Sequence, residues 1–136
     1  MGFCISCGQP LPISQVDEGL YLRGIELFNR GEFYAAHEVL EDVWRPTSGA
    51  ERLFLQGLIQ VAVALHHHST GNLAGARSLL ARASRNLREF PETYLGIKLA
   101  GFRESLVDWR IALENNSPLP AFPRLEVVRG GLTPEC

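Results

Sequence analysis

Cysteine is scarce in this 136-residue chain: three residues, at positions 4, 7 and 136. An odd number of thiols is a poor basis for a disulfide framework, so a reducing cytoplasm is the expected compartment. No apolar run approaches the roughly 20 residues that cross a bilayer, so no membrane association is expected. The N-terminus also lacks the basic start and apolar core of a signal peptide. Charge of one sign is missing too: a net charge of −2 gives no general reason to expect a nucleic-acid or membrane-surface partner.

What remains is ordinary globular composition, 46% apolar and 21% charged, in a length that can bury one core without staples. The charges are spread unevenly. Residues 1–50 hold seven acids against three bases, and residues 51–112 hold five acids against eight bases. Opposite signs on two parts of one small chain predict that the parts face each other.

The chain divides into an extended lead-in over 1–14, a helical domain over 15–117 and a Pro/Gly-rich extended tail over 118–136. A first helix is expected from about Asp17, an acid suited to cap and dipole alike, until Asn29-Arg30-Gly31 breaks it. A second runs from about Glu32 to Arg45 and stops at Pro46. A third spans about Ala50 to Ser69, a fourth Leu73 to Glu89, and a fifth Thr93 to Glu114. Gly31-Glu-Phe-Tyr-Ala-Ala-His-Glu-Val-Leu40 and Gly71-Asn-Leu-Ala-Gly-Ala-Arg-Ser-Leu-Leu80 share Gly, a large apolar residue, Ala and Leu at matching places. That echo predicts two helical hairpins, each opened by its Gly and closely packed at Ala36 or Ala76. Two such units are too few for a solenoid, so they should close into an all-α, mostly antiparallel bundle of five helices.

Projection of the second helix at about 100° per residue sets Phe33, Ala36, Leu40, Val43 and Trp44 on one stripe. His37 falls on that stripe and Glu41, one turn on, at its margin; Glu38 and Asp42 face solvent. The third helix is apolar almost all round, as in a helix at the centre of a bundle. Its polar exceptions Gln56, Gln60 and His67 project within roughly 40° of one another. A buried unpaired amide costs about 1–3 kcal/mol, so these side chains need partners. His37 and Glu41 are the polar pair nearest the core, and one cluster of His37, Glu41, Gln56, Gln60 and His67 is expected.

The strings FNRGEFYAAHEVLEDVW (28–44) and FLQGLIQVAVALHH (54–67), followed by Gly71-Asn72 and Gly75-Ala76, resemble the hallmark segments of the bacterial and archaeal domain-of-unknown-function family 309. YLGI at 94–97 is similar to that family's later segment, although Lys98 stands where an acid is common. The resemblance implies an all-helical fold and carries over His37, Glu38, Glu41, Trp44, Gln56 and Gln60 as motif positions. It brings no established activity.

Two functional classes follow. In the first, the cluster binds a divalent metal such as zinc, or a small polar ligand. His37, Glu41 and His67 would ligate the metal, Glu38 and Glu41 would be catalytic carboxylates of a hydrolase, and Gln56, Gln60 and Trp44 would hold the ligand. The spacing departs from H-E-x-x-H, because the second position is Glu41, and it lacks the Glu-x-x-His pairs of di-iron bundles. In the second class the cluster is a structural polar network inside a non-enzymatic hairpin module that binds a protein partner or a second copy of itself. The first class requires a pocket reaching His37 and Glu41; the second requires none. Of His66-His67-His68, consecutive residues that diverge around a helix, only His67 is a site candidate. Cys4-x-x-Cys7 resembles one knuckle of a zinc ribbon, but four ligands are needed and only Cys136 is added, so it reads as an unused half-site. Arg77, Arg82, Arg85 and Arg88 make the fourth helix basic; with no aromatic platform beside them they read as a solvated face or as partners of the acidic second helix, and nucleic acid is not expected.

Overall fold

The computed structural model describes residues 15–128; the lead-in, Cys4, Cys7, Gly130-Gly131 and Cys136 lie outside the described residues. Five helices form: α1 (Glu18–Asn29), α2 (Phe33–Trp44), α3 (Gly49–Ser69), α4 (Leu73–Leu87) and α5 (Leu99–Asn115). Local chemistry sets their ends. The Asp17 carboxylate accepts from Leu20 N–H and caps α1, and the Asn72 side chain accepts from Gly75 N–H and caps α4. Gly31 and Gly71 close the preceding helices with φ of 85° and 87°, backbone that a Cβ opposes.

Helices adjacent in sequence are adjacent in space, α1 on α2, α2 on α3, α3 on α4 and α4 on α5. This is the expected bundle of two hairpins. Ala36, Leu40, Ala76 and Leu80, the residues of the internal echo, are fully buried. Within each hairpin a second glycine brings the helices together. A Cβ on Gly24 would stand 2.7 Å from Leu40, and one on Gly57 would stand 2.7 Å from Leu87. The central α3 buries Phe54, Leu55, Leu58, Val61, Ala62, Ala64 and Leu65. No helix of the described residues is long and apolar enough to cross a membrane.

The expected fifth helix begins later than its sequence suggests. Thr93–Lys98 is an antiparallel hairpin of β1 (Thr93–Tyr94) and β2 (Ile97–Lys98), and α5 starts only at Leu99. Leu95 and Gly96 turn it with φ of 46° and 75°, the two positive values of a tight strand-to-strand turn. The Tyr21 hydroxyl donates to the Leu95 carbonyl at 2.8 Å and ties this turn to α1. Burial, and then the nearby Glu51 carboxylate, pushes the Tyr21 phenol far above its ordinary range.

The first part of the tail is held against the bundle. β3 (Glu126–Val127) pairs antiparallel with β2, completing a three-stranded sheet. Asn29 exchanges two hydrogen bonds with the Leu125 backbone at 2.9 and 2.8 Å. Trp109 Nε1 donates to Ala121 O at 2.9 Å, and the Trp109 ring stacks on Phe122. The opposed charges do not bring the two parts of the chain together: among the described residues every ion pair joins side chains three or four positions apart.

Candidate functional site

A cleft of about 260 Å³ opens between α2, α3 and α4. Its polar wall is His37, Glu41, Trp44, Gln56 and Gln60. Ile59 and Val63 of α3 and Leu79 of α4 complete it with apolar surface. The helical period explains the convergence: His37, Glu41 and Trp44 are i, i+4 and i+7 on α2, and Gln56, Ile59, Gln60 and Val63 are i, i+3, i+4 and i+7 on α3.

His37 Nε2 stands 3.4 Å from a Glu41 carboxylate oxygen, with the histidine side chain 19% exposed and the glutamate 36%. The other Glu41 oxygen lies 3.4 Å from the Arg45 guanidinium on the rim. The Glu41 carboxylate beside Nε2 orients the ring. His37 Nδ1 is then buried without a hydrogen-bond partner, and so is the Trp44 indole nitrogen. Two such orphans beside one small cleft are unusual, because buried polar atoms are nearly always paired.

Neighbours hold this wall in place. The Arg52 guanidinium lies 3.7 Å over the Trp44 ring, a cation–π contact. It also donates to the carbonyls of Trp44, Arg45 and Thr47, closing the C-terminal end of α2. Asn86 Nδ2 donates to Gln60 Oε1 at 2.8 Å. That bond engages the Gln60 carbonyl and leaves its amide N–H groups with capacity for another partner. Tyr34 packs its ring 5.4 Å from His37 and 5.1 Å from His66, at the far end of the same face.

Of the residues singled out in the sequence, five meet in the cleft and two do not. Glu38 is exposed and does not line it. His67 lies elsewhere, with Nδ1 3.4 Å from the Asn72 amide. The angular projection that grouped it with Gln60 ignores the helical rise, about 10 Å over seven residues. His66, His67 and His68 diverge as expected, towards Tyr34, Asn72 and Trp109 respectively. Among the described residues no group of three His, Cys, Asp or Glu side chains could hold a metal ion.

Two contributors carried no motif. Asn86 follows Leu79 and Ala83 at i+7 and i+3, so a polar residue beside the α4 core stripe was a usable sign. Arg52 had none, because its role depends on where the loop after α2 turns.

Residues 21–79 match the family model described as "Domain of unknown function (DUF309)". An "Uncharacterized protein" of Aquifex aeolicus (strain VF5) is 35% identical over 80 residues, 58% of this chain and 24% of that protein. The "Uncharacterized protein YpuF" of Bacillus subtilis (strain 168) is 38% identical over 66 residues, 47% of this chain and 37% of that protein. The matched part of the chain thus spans well under half the length of either relative. All eight residues that line the cleft fall inside the matched segment. Residues 21–79 are therefore similar to the domain-of-unknown-function family 309, the family whose hallmark segments its motifs resemble.

Proposed function

We propose that the cleft between α2, α3 and α4 is a binding site for a small polar organic ligand, in a cytoplasmic protein. The observation that carries this reading is the cleft itself. It reaches both His37 and Glu41, where a purely structural network would be closely packed. Its chemistry narrows the class of ligand. Trp44 offers an unpartnered N–H, Gln60 offers amide N–H groups, and Glu41 offers a carboxylate. The fitting ligand therefore carries an acceptor such as a carboxylate or carbonyl and a donor such as an amine or hydroxyl, with an apolar side against Ile59, Val63 and Leu79. Sites of this kind are mostly apolar with a few fixed polar groups.

A divalent metal would find only two of its three expected ligands here, His37 and Glu41, because His67 stands outside the cleft. Hydrolysis that draws on Glu38 lacks support for the same reason. The organic ligand is the better occupant.

The reading is tested by thermal unfolding of the protein in the presence of amino acids, hydroxy acids, sugars and nucleosides, each in excess. At least one compound should raise the melting temperature of the native chain and fail to do so in Trp44→Phe and Gln60→Leu. A uniform absence of stabilisation, or stabilisation that survives both substitutions, overturns the assignment.

A further inference from the structure

A second concavity, about 380 Å³, lies between α4 and α5 on a different face of α4 from the His37 cleft. The α4 side supplies Ser84, Arg85 and Arg88; the α5 side supplies Arg103 and Arg110 across a floor of Leu106 and Val107. The α5 residues are i, i+3, i+4 and i+7, one continuous stripe, and Ser84 and Arg88 are i, i+4 on α4. Four guanidinium groups therefore line one small groove. Among the described residues none of the four has a carboxylate within ion-pair distance. The acids of this region, Glu89, Glu104 and Asp108, do not line the groove.

Helix ends explain part of this. Arg103 donates to the carbonyls of Leu87 and Phe90 at 2.9 and 2.6 Å, so it closes the end of α4. Arg85 and Arg88 also suit the negative end of that helix dipole. Neither argument reaches Arg110, about 10 Å further along α5 than Arg103 by helical rise. Neither accounts for the Ser84 hydroxyl, which is buried without a hydrogen-bond partner. A mid-helix serine ordinarily bonds back to the carbonyl four residues earlier. Arginines that converge without counter-charges repel one another, and an anion in the groove would remove that repulsion. Guanidinium forks match phosphate oxygens, and a hydroxyl adds a donor.

We propose that this groove binds a small, multiply charged phosphate, of the diphosphate or bisphosphate class, through Arg85, Arg88 and Arg110 with Ser84 as a neutral donor. Arg103 shapes the site by closing α4. A nucleic-acid strand fits less well, because no aromatic ring lines the groove to stack a base.

The test is calorimetric titration of the full chain with inorganic pyrophosphate, orthophosphate and a short single-stranded oligonucleotide. Pyrophosphate should bind, more tightly than orthophosphate, and more weakly as salt is raised. Arg88→Ala and Arg110→Ala should each weaken it about ten-fold or more, the loss of one charge-assisted hydrogen bond, with an unchanged melting temperature. Gln60→Leu, in the other cleft, should leave pyrophosphate binding as it is. The proposal is overturned if pyrophosphate does not bind, if orthophosphate binds as tightly, if the two arginine variants bind normally, or if only the oligonucleotide binds.

Discussion

The two clefts share α4 as a wall and differ in almost everything else. The His37 cleft mixes an acid, an imidazole, an indole and two amides over apolar surface, and its lining lies wholly within the segment that matches the family. The arginine groove is of one charge sign, and all its lining residues lie beyond residue 79, outside that segment. Mixed polarity suits an uncharged or zwitterionic molecule that must be oriented; uniform positive charge suits an anion that need only be attracted. The contrast separates a feature at family-motif positions from one that the matched segment does not include. One helix serves both because its faces are independent: Leu79 and Asn86 turn to one side, and Ser84, Arg85 and Arg88 to the other.

Substitutions along α4 and its seat on α3 can break that comparison or sharpen it. The largest effect is expected at Leu87, fully buried against Gly57. Leu87→Ala should cost about 2–5 kcal/mol in chemical denaturation and loosen both clefts together. Gly57→Ala comes next. Its Cβ would meet Leu87 Cδ2 at 2.7 Å and the branching Cγ at 2.8 Å, in a side chain that is fully buried. A loss of about 1–2 kcal/mol, overpacking partly offset by helix propensity, should appear in the same measurement. Asn86→Ala should cost about 1 kcal/mol by removing the bond to Gln60. It should alter ligand binding in the His37 cleft alone, which parallel titrations of both sites would show. Arg88→Ala should be the smallest, within about 0.5 kcal/mol of the native stability, because its side chain is exposed. An Asn86 variant that disturbs the groove, or an Arg88 variant that disturbs the cleft, would show the two faces to be coupled.

Much of this was legible in the sequence, for identifiable reasons. Asp17, Gly31, Pro46 and Gly71 are strong local signals, and they placed four helices within a few residues. His37 and Glu41 at i, i+4 and Gln56 and Gln60 at i, i+4 fixed two faces that line one cleft, although Gln60 bonds to Asn86 and not to the expected partners His37 and Glu41. His67 was misgrouped because azimuth alone carries no axial distance. The hairpin at 93–98 was read as helix because Leu95 occupies a left-handed position that Leu rarely adopts, leaving Gly96 as the sole signal. The basic face of α4 was visible, but its partner stripe on α5 depends on which faces of two helices meet. The acidic and basic parts form no ion pair with each other among the described residues, because Glu26, Glu41 and Asp42 are engaged by Arg23, Arg30 and Arg45 one turn away, while Arg52 and Arg103 turn to backbone carbonyls.

The central claim, that the His37 cleft holds a small polar ligand, is tested most directly by nuclear magnetic resonance of the ¹⁵N-labelled protein. The Trp44 indole N–H and the Gln56 and Gln60 side-chain amides should be followed while carboxylate- and amine-bearing compounds are titrated in turn. The account predicts that at least one compound moves the Trp44 and Gln60 signals together and saturably, while the Arg88 and Arg110 side-chain signals stay still. If no compound moves them, or if every compound that does also moves the arginines equally, the cleft is not the selective site described here.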